Sequence, residues 1–235
     1  GLGDVYKRQV ADQLPEFGAD GVRAVAGQDV QVVVRLFGAE GQPVVPGVAD
    51  IVEHLSREIH EHAKDAAART AVSHLIAQGH RKIAVLGGPT TSYPSRMRRL
   101  GAQDAMEDAG LTFDDRLYGL SNYDFESAYH AMNGLLARRA EFTALFAMSD
   151  VIAFGAIRAL VSAGLRVPED VSVIGFDGIT MSRYCVPVMT TIVQPSEQIA
   201  LQSIELLVRQ IEHGTPAQTV TLQPELQQGE SVRAI

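Results

Sequence analysis

The stretch from Thr143 to Gly178 constrains the fold more than any other part of the chain, because it carries the pattern of a complete β-α-β unit. Ala144–Met148 is a short apolar run bounded by polar residues, which is typical of a buried parallel strand. Apolar residues then recur at helical spacing up to Gly164, a residue that favours a left-handed helix end. Val171–Phe176 is β-branched and apolar, so it predicts a second strand, parallel to the first after a right-handed crossover.

Polar residues follow both strands of this unit. Ser149 and Asp150 come after the first strand, and Asp177 comes after the second. The carboxyl ends of parallel strands meet at one edge of an open sheet, where ligands bind, so we expect these side chains to line a ligand site. Either Ser149 or Asp150 can instead cap the helix that follows, and for Ser149 the cap is the interpretation we favour.

Helices and strands alternate along the rest of the chain, which predicts an α/β fold. The predicted helices are Ala66–Ala77, Ser95–Ala109, Ser127–Arg138 and Pro195–Glu212, and the predicted strands are Val22–Val25, Pro43–Val45, Lys82–Leu86, Leu117–Leu120 and Thr219–Leu222. Val30–Val34 is β-branched and predicts a strand on propensity alone.

Composition excludes several classes of protein. A net charge of -8 and a pI near 5.3 argue against direct binding of this chain to nucleic acid, because phosphate contacts need clustered Lys and Arg. The mean hydropathy is +0.04, and no apolar run reaches the roughly 18 residues that a membrane helix needs, so no membrane span is predicted. One cysteine, Cys185, rules out an internal disulfide and a cysteine-based metal cluster.

Motifs for catalysis and for cofactors are absent from the sequence. The loop Gly87–Pro89 lacks the G-K-[ST] of a phosphate-binding loop, and there is no G-x-G-x-x-G or G-x-S-x-G motif. His54, Glu58 and His62 have the spacing of metal ligands on one helix face, but a polar, solvated stretch is the interpretation we favour. We therefore predict no metal, no cofactor and no enzymatic activity.

Several motifs follow one another in a familiar order: HLIAQGHRKIAVLGG from His74, R-x-x-G at Arg98, NYDFESAYHAM from Asn122, GLRVPEDVSVIGFDG from Gly164, PVMTTIVQP from Pro187 and LQPELQQGES from Leu222. Together they resemble the effector-binding core of LacI/GalR-type bacterial transcription regulators, from about Asp20 to the end of the chain. The last motif departs from the family pattern, since members usually carry Arg where Gly229 stands.

The resemblance implies two similar, doubly wound parallel-sheet subdomains of the periplasmic-binding-protein-like type I fold, with a ligand cleft between them. Chain crossings near Arg81, Gln194 and Gly214 would assign 10–81 and 194–214 to an N-terminal subdomain and 82–193 and 215–235 to a C-terminal one. The resemblance also implies a helix over Val30–Val34, and there we follow it in preference to the propensity.

The first nine residues do not fit this pattern. The segment DVYKRQ resembles the translation of a sequencing adapter, so we expect residues 1–9 to be a non-native artefact. Intact LacI-type regulators carry a helix-turn-helix domain, a hinge and a first β-α unit ahead of the matched region. We expect these parts to be missing from this chain.

Four side chains are candidates for ligand contact at the carboxyl edge of the sheet: Arg98, Tyr123, Ser149 and Asp177. A guanidinium fork, a carboxylate and an aromatic face suit a polyhydroxylated or heterocyclic molecule such as a sugar or a nucleoside. The resemblance implies an effector-contacting arginine at Arg98, a stacking aromatic at Tyr123 and a hydrogen-bonding carboxylate at Asp177. Ser149 stands where many members have Asn. The alternatives are a surface arginine at Arg98 and a plain Asp-Gly turn at Asp177.

The sequence thus predicts the effector-binding and dimerising core of a LacI-type transcription regulator, located in the cytoplasm. Its partners would be a small-molecule effector, a second copy of the chain and, only through the missing N-terminal domain, operator DNA. The alternative is a periplasmic sugar-binding protein of a transporter, since that class shares the two-subdomain fold. A signal peptide would favour the alternative, and a helix-turn-helix would favour the regulator.

Overall fold

The computed structural model describes residues 23–25, 33–35, 66–139, 141–213, 220 and 222–235. The chain divides into two compact units, one formed by Gly1–Ile59 with Ser196–Val220 and the other by His60–Pro195 with Thr221–Ile235. All four candidate ligand residues belong to the second unit.

The described helices and strands have the following bounds. The strands are β1 (Arg23–Val25), β2 (Val33–Arg35), β3 (Ile83–Gly87), β4 (Tyr118–Leu120), β5 (Ala144–Ala147), β6 (Ser172–Asp177), β7 (Thr190–Val193) and β8 (Glu225–Gln227). The helices are α1 (66–77), α2 (Tyr93–Asp108), α3 (Phe125–Ala137), α4 (Asp150–Ser162) and α5 (Ser196–His213), with 3-10 turns at Asp115–Leu117 and Thr180–Arg183.

In the first unit, β1 pairs antiparallel with β2, and α5 confirms the helix predicted over Pro195–Glu212. The helix that we predicted over Val30–Val34 is wrong where the structure describes it, because Val33 and Val34 lie in β2. Two adjacent β-branched side chains favour an extended backbone, so local propensity was the better guide here. The strand predicted at Pro43–Val45 and the polar stretch around His54 lie outside the described residues.

The second unit is built on a six-stranded sheet with the order β4-β3-β5-β6-β7-β8. Parallel pairing joins all neighbours from β4 to β7, which confirms the predicted β-α-β unit and its parallel strands. Every residue of β3 and β5 is buried, as expected for central strands covered by helices on both faces. The carboxyl ends of five parallel strands therefore lie at one edge of this sheet.

The sheet ends in an antiparallel strand whose position was not predicted. Val220 and Leu222 are not in a strand, so the prediction over Thr219–Leu222 is wrong where the structure describes it, and β8 instead pairs Leu226 with Ile192 of β7. The position of β8 follows from an anchor just after it. The buried Ser231 hydroxyl accepts a hydrogen bond from Thr190 N at 2.8 Å and donates one to Val173 O at 2.6 Å. These two hydrogen bonds fix the segment after β8 against β6 and β7, and they thereby set which residues can form β8.

Helix α1 confirms the helix predicted over Ala66–Ala77, and its apolar face packs in the core of the second unit through Ala67, Ala71, Val72 and Leu75. The division between the units consequently falls after Ile59, ahead of α1, whereas we predicted a crossing near Arg81. Among the described helices, none combines the length and the hydropathy that a bilayer crossing requires.

Candidate ligand site

The candidate site is built at the carboxyl edge of the second unit's sheet, where Arg98 and Asp177 meet. Arg98 lies on the buried face of α2, a helix that follows β3 and is capped by the Ser92 side chain. Only 5% of the Arg98 side chain is exposed, compared with 21% for Asp177. An almost fully buried guanidinium is stable only when its donors find acceptors, so its partners define the site.

The guanidinium of Arg98 has three neighbours. Its Nη1 donates to the carbonyl oxygen of Met148 at the end of β5, and its Nη2 donates to Asp177 Oδ1 at 3.3 Å. The Cζ atom lies 3.8 Å from the centre of the Phe176 ring, close enough for a cation–π contact. The structure therefore brings together two of the four predicted residues, and neither alternative, a surface arginine or a plain Asp-Gly turn, describes them.

Asp177 stands at a sharp turn and has a second partner. Its φ of 109° and the φ of 71° at Gly178 turn the chain away from the sheet directly after β6. Gln194, at the end of β7, donates from Nε2 to Asp177 Oδ1 at 2.6 Å. We predicted Gln194 only as a crossing point, although a polar residue after a parallel strand is the same signal that identified Asp177.

Tyr123 is half-buried and is held by two contacts. Its hydroxyl lies 2.7 Å from the Ser95 hydroxyl, and its ring occupies the space that a side chain at position 88 would need, which explains the glycine there. Ser95 and Arg98 are one helical turn apart on α2, so Tyr123 is connected to the helix that carries the buried guanidinium. No hydrogen bond joins Tyr123 to Arg98 directly.

Ser149 acts as a helix cap. Its Oγ accepts a hydrogen bond from Ile152 N at 3.1 Å at the start of α4, as in the interpretation that we favoured from the sequence. Contact of Ser149 with a ligand stays a prediction.

Asp150 is a buried carboxyl group that the sequence placed at this edge but that was not among the four candidates for ligand contact. Its Oδ2 accepts from Ile179 N at 2.8 Å, and its Oδ1 accepts from Thr191 Oγ1 at 2.6 Å. Burial raises the pKa of Asp150 to about 7, against the lowering effect of the hydrogen bonds from Thr191 and Ile179. The negative charge of Asp177 raises it further.

These groups can bind a polar molecule. Arg98 supplies donors, Asp177 supplies acceptors and Gln194 supplies both, which suits hydroxyl-bearing or heterocyclic ligands. The Nε–H of Arg98 has no hydrogen-bond partner within the described residues, so this donor of the guanidinium is unused. In the same part of the chain, no three His, Cys, Asp or Glu side chains are grouped as metal ligands, and His54, Glu58 and His62 lie outside it.

Residues 72–232 match a family model described as a periplasmic binding protein-like domain. The chain is 39% identical over 169 residues to the HTH-type transcriptional repressor PurR of Haemophilus influenzae, a match that covers 70% of this chain and 50% of that protein. The chain therefore spans about half the length of the curated relatives that it matches.

Solved structures agree with the sequence match. A sugar-binding transcriptional regulator of the LacI family from Escherichia coli, complexed with phosphate, superimposes with a TM-score of 0.69 at 32% identity over 74% of this chain and 62% of that one. The transcriptional regulator CelR, in complex with cellobiose, superimposes with a TM-score of 0.69 at 34% identity over 72% of this chain and 52% of that one.

Proposed function

This chain belongs to the periplasmic binding protein-like domain family, and on that premise we propose that it is the effector-binding core of a LacI-type transcription regulator. The relatives reported above are repressors or regulators by name, which favours this function over a transport receptor. DNA binding would belong to a helix-turn-helix segment of the whole protein. We further propose that the protein works in the cytoplasm, without a cofactor and without catalysing a reaction.

The observation that carries the proposal is the buried Arg98 guanidinium joined to Asp177 at the carboxyl edge of a parallel sheet. A charged pair in that position costs desolvation and gives little net stability, so we attribute its presence to ligand recognition. Hydroxyl groups or ring nitrogens of a ligand can accept from Arg98 and donate to Asp177. We therefore propose a sugar or a nucleoside as the ligand class, with Tyr123 as a stacking surface and Ser149 at the edge of the site.

Regulation would follow from a difference in ligand affinity between two conformations of the protein. A ligand shifts such an equilibrium only by the differential part of its binding free energy, typically about 1–3 kcal/mol. That difference is enough to change the population of the conformation that holds two DNA-binding heads at the spacing of an operator.

The ligand class is tested by titrating the full chain with cellobiose, D-ribose and adenosine in a calorimeter. The expected result is saturable binding of at least one probe with a dissociation constant in the micromolar range, equivalent to about 8 kcal/mol. Absence of heat with every probe contradicts the proposed ligand classes. Translation of the complete reading frame of the source gene separates the two functions, because a signal peptide instead of a helix-turn-helix would make the protein a transport receptor.

We also propose that the protein forms a homodimer through the loop between β6 and β7. Three large apolar side chains of this loop are exposed, namely Met181 (59%), Tyr184 (77%) and Val186 (93%). Apolar side chains clustered in this way on a short segment mark an interaction site, and a two-fold interface between copies would cover them on both chains.

A Tyr184→Asp/Val186→Asp double variant is expected to be monomeric, because two charges from each chain would have to be desolvated in the interface. We expect the dimer dissociation constant to rise by about a hundredfold or more. Light scattering coupled to size-exclusion chromatography over a concentration series measures this change. Leu100→Asp, at a 46% exposed apolar position on α2, is the matched control and should leave the oligomeric state unchanged. A double variant that elutes like the unmodified protein contradicts the proposed interface.

A further inference from the structure

The connection between β5 and α4 holds both members of the Arg98–Asp177 pair. Met148 provides the carbonyl oxygen that accepts from Arg98 Nη1. Two residues later, the Asp150 carboxyl group accepts from Ile179 N, in the turn that begins at Asp177. One short segment therefore has a fixed contact with the helix that carries the guanidinium and another with the turn that carries the carboxylate.

The turn after β6 needs such support. Asp177 has a φ of 109°, a left-handed conformation that costs a non-glycine residue on the order of 1–3 kcal/mol, so surrounding contacts must maintain it. The hydrogen bond from Ile179 N to Asp150 Oδ2 lies on one side of the turn. On the other side, Gln194 N donates to Asp177 O at 3.2 Å.

Asp150 has no freedom to leave this position. Its side chain is fully buried, and the second oxygen accepts from Thr191 in the neighbouring strand β7. Oδ1 fills the space that a side chain on Gly175 of β6 would need, so the strand itself has a glycine where the carboxyl group lies against it. The carboxyl group thus ties together the start of α4, the turn after β6 and strand β7.

We propose that Asp150 is a positioning residue of the ligand site, which sets the place of the Asp177 carboxylate opposite Arg98 through the turn at Ile179. This inference rests on the proposed function, because it gives Asp150 a role in ligand affinity without contact to the ligand. A carboxyl group that merely stabilises the fold would affect the unfolding equilibrium and leave the Arg98–Asp177 geometry of the folded protein unchanged.

Two substitutions of Asp150 separate these roles. Asp150→Ala leaves Ile179 N and the Thr191 hydroxyl without this acceptor, so the turn loses its support from the start of α4 and keeps only the contact with Gln194 N. Asp150→Asn keeps one carbonyl oxygen for Ile179 N, and its amide can donate to the Thr191 hydroxyl, which accepts as well as it donates. The expected loss of affinity for the probe that binds best is about tenfold or more in Asp150→Ala and about threefold at most in Asp150→Asn.

Ser231→Ala is the matched control. It removes a fully buried side chain that also joins two groups, Thr190 N and Val173 O, but at the opposite end of β6 and β7 from Asp177. Like Asp150→Ala, this variant should lose folding stability because buried hydrogen bonds are removed. The contacts of the ligand site, in contrast, stay in place. The affinity of Ser231→Ala should match that of the unmodified protein.

A second measurement reads the geometry without any ligand. The side-chain signals of Arg98 in a proton–nitrogen correlation spectrum, identified by their loss in Arg98→Lys, report whether the guanidinium is held by Met148 and Asp177. A guanidinium that is held rotates slowly and gives separate Nη signals, which we expect in the unmodified protein, in Asp150→Asn and in Ser231→Ala. In Asp150→Ala we expect the guanidinium to rotate freely and its Nη signals to be averaged.

Retention of the separate signals in folded Asp150→Ala, or their loss in Ser231→Ala as well, overturns the positioning role. Should Asp150→Ala fail to fold, Thr191→Val carries the test, because it removes the side-chain donor to Asp150 and is expected to weaken binding about threefold. Unchanged binding and signals in Thr191→Val then overturn the proposal. If no probe binds the unmodified protein, the proposed ligand class fails, and the Arg98 signals alone still decide the role of Asp150.

Discussion

An Arg98→Ala variant is expected to lose ligand binding while keeping the fold. The substitution removes every donor that the guanidinium offers and leaves the Asp177 carboxylate with Gln194 as its remaining named partner. A hydrogen bond to a charged group contributes about 1.5–3 kcal/mol, so the loss of two guanidinium hydrogen bonds to the ligand should raise the dissociation constant by about a hundredfold or more. Calorimetric titration with the best probe measures this change directly.

The fold is expected to survive because the group left behind is not sealed in the core. Asp177 is 21% exposed, so water can solvate its carboxylate once the guanidinium is gone. We expect the free energy of unfolding to fall by about 1–3 kcal/mol, measured by urea denaturation. Asp177→Ala should lose binding to a similar extent, since it removes the acceptor of the same pair.

Arg99→Ala is the matched control for both effects. Arg99 is the next residue on α2, and it faces away from the site, with an ion pair to Asp115 at 2.8 Å and the Tyr118 ring below its guanidinium. It carries the same charge on the same helix, so a general electrostatic effect would weaken binding in both variants. Unchanged affinity in both Arg98→Ala and Asp177→Ala contradicts the site assignment.

The parts of the fold that the sequence predicted well are those in which one local pattern determines the outcome. A buried run of apolar residues between turn signals makes β3, β5 and β6 recognisable as strands, and Gly79, Gly110 and Gly164 end helices with φ values of 99°, 69° and 81°. β8 is different, because its position depends on the Ser231 anchor to β6 and β7. No pattern within LQPELQQGES shows which residues of that segment will reach the edge of the sheet.

The site shows the same limit. The proximity of Arg98 and Asp177 was predictable because each occupies a position that the motifs mark, and parallel strands bring such positions to one edge. The set of contacts that Asp150 makes was not predictable from its position as a helix-start residue. It depends on the absence of a side chain at Gly175 and on the Thr191 hydroxyl in a strand that follows 41 positions later. Such pairings across elements exist only after the sheet has formed.

The stability of an Asp150→Asn variant, relative to that of the unmodified protein, is expected to increase as the pH rises from 5 to 7. Burial raises the pKa of Asp150 to about 7, whereas the same group in the unfolded chain has a pKa near 3.9. The folded protein therefore holds a proton that the unfolded chain has released, so its stability falls with rising pH across this window. The neutral carboxyl group makes its full contribution to stability below the pKa of the unfolded chain. This contribution is lost by the time the pH passes the pKa of the folded protein.

Asparagine does not titrate, so the variant escapes this loss while keeping partners for Ile179 and Thr191. One pKa unit corresponds to about 1.4 kcal/mol, and the difference in unfolding free energy between variant and unmodified protein should change by about 2–3 kcal/mol between pH 5 and pH 7. Above that range the difference should become constant. Urea denaturation at half-unit pH steps measures it.

Asp170→Asn provides the comparison of opposite sign. The side-chain hydrogen bond from Arg166 lowers the pKa of Asp170 to about 2, so this carboxylate is ionised in both the folded and the unfolded chain above pH 5. The contribution of Asp170 to stability is lost only as the pH falls below the pKa that this group has in the unfolded chain. The difference in unfolding free energy between Asp170→Asn and the unmodified protein should therefore stay flat from pH 5 to 8. A flat profile for Asp150→Asn as well would mean that the buried carboxyl group is ionised throughout, and that the Thr191 and Ile179 hydrogen bonds outweigh its burial.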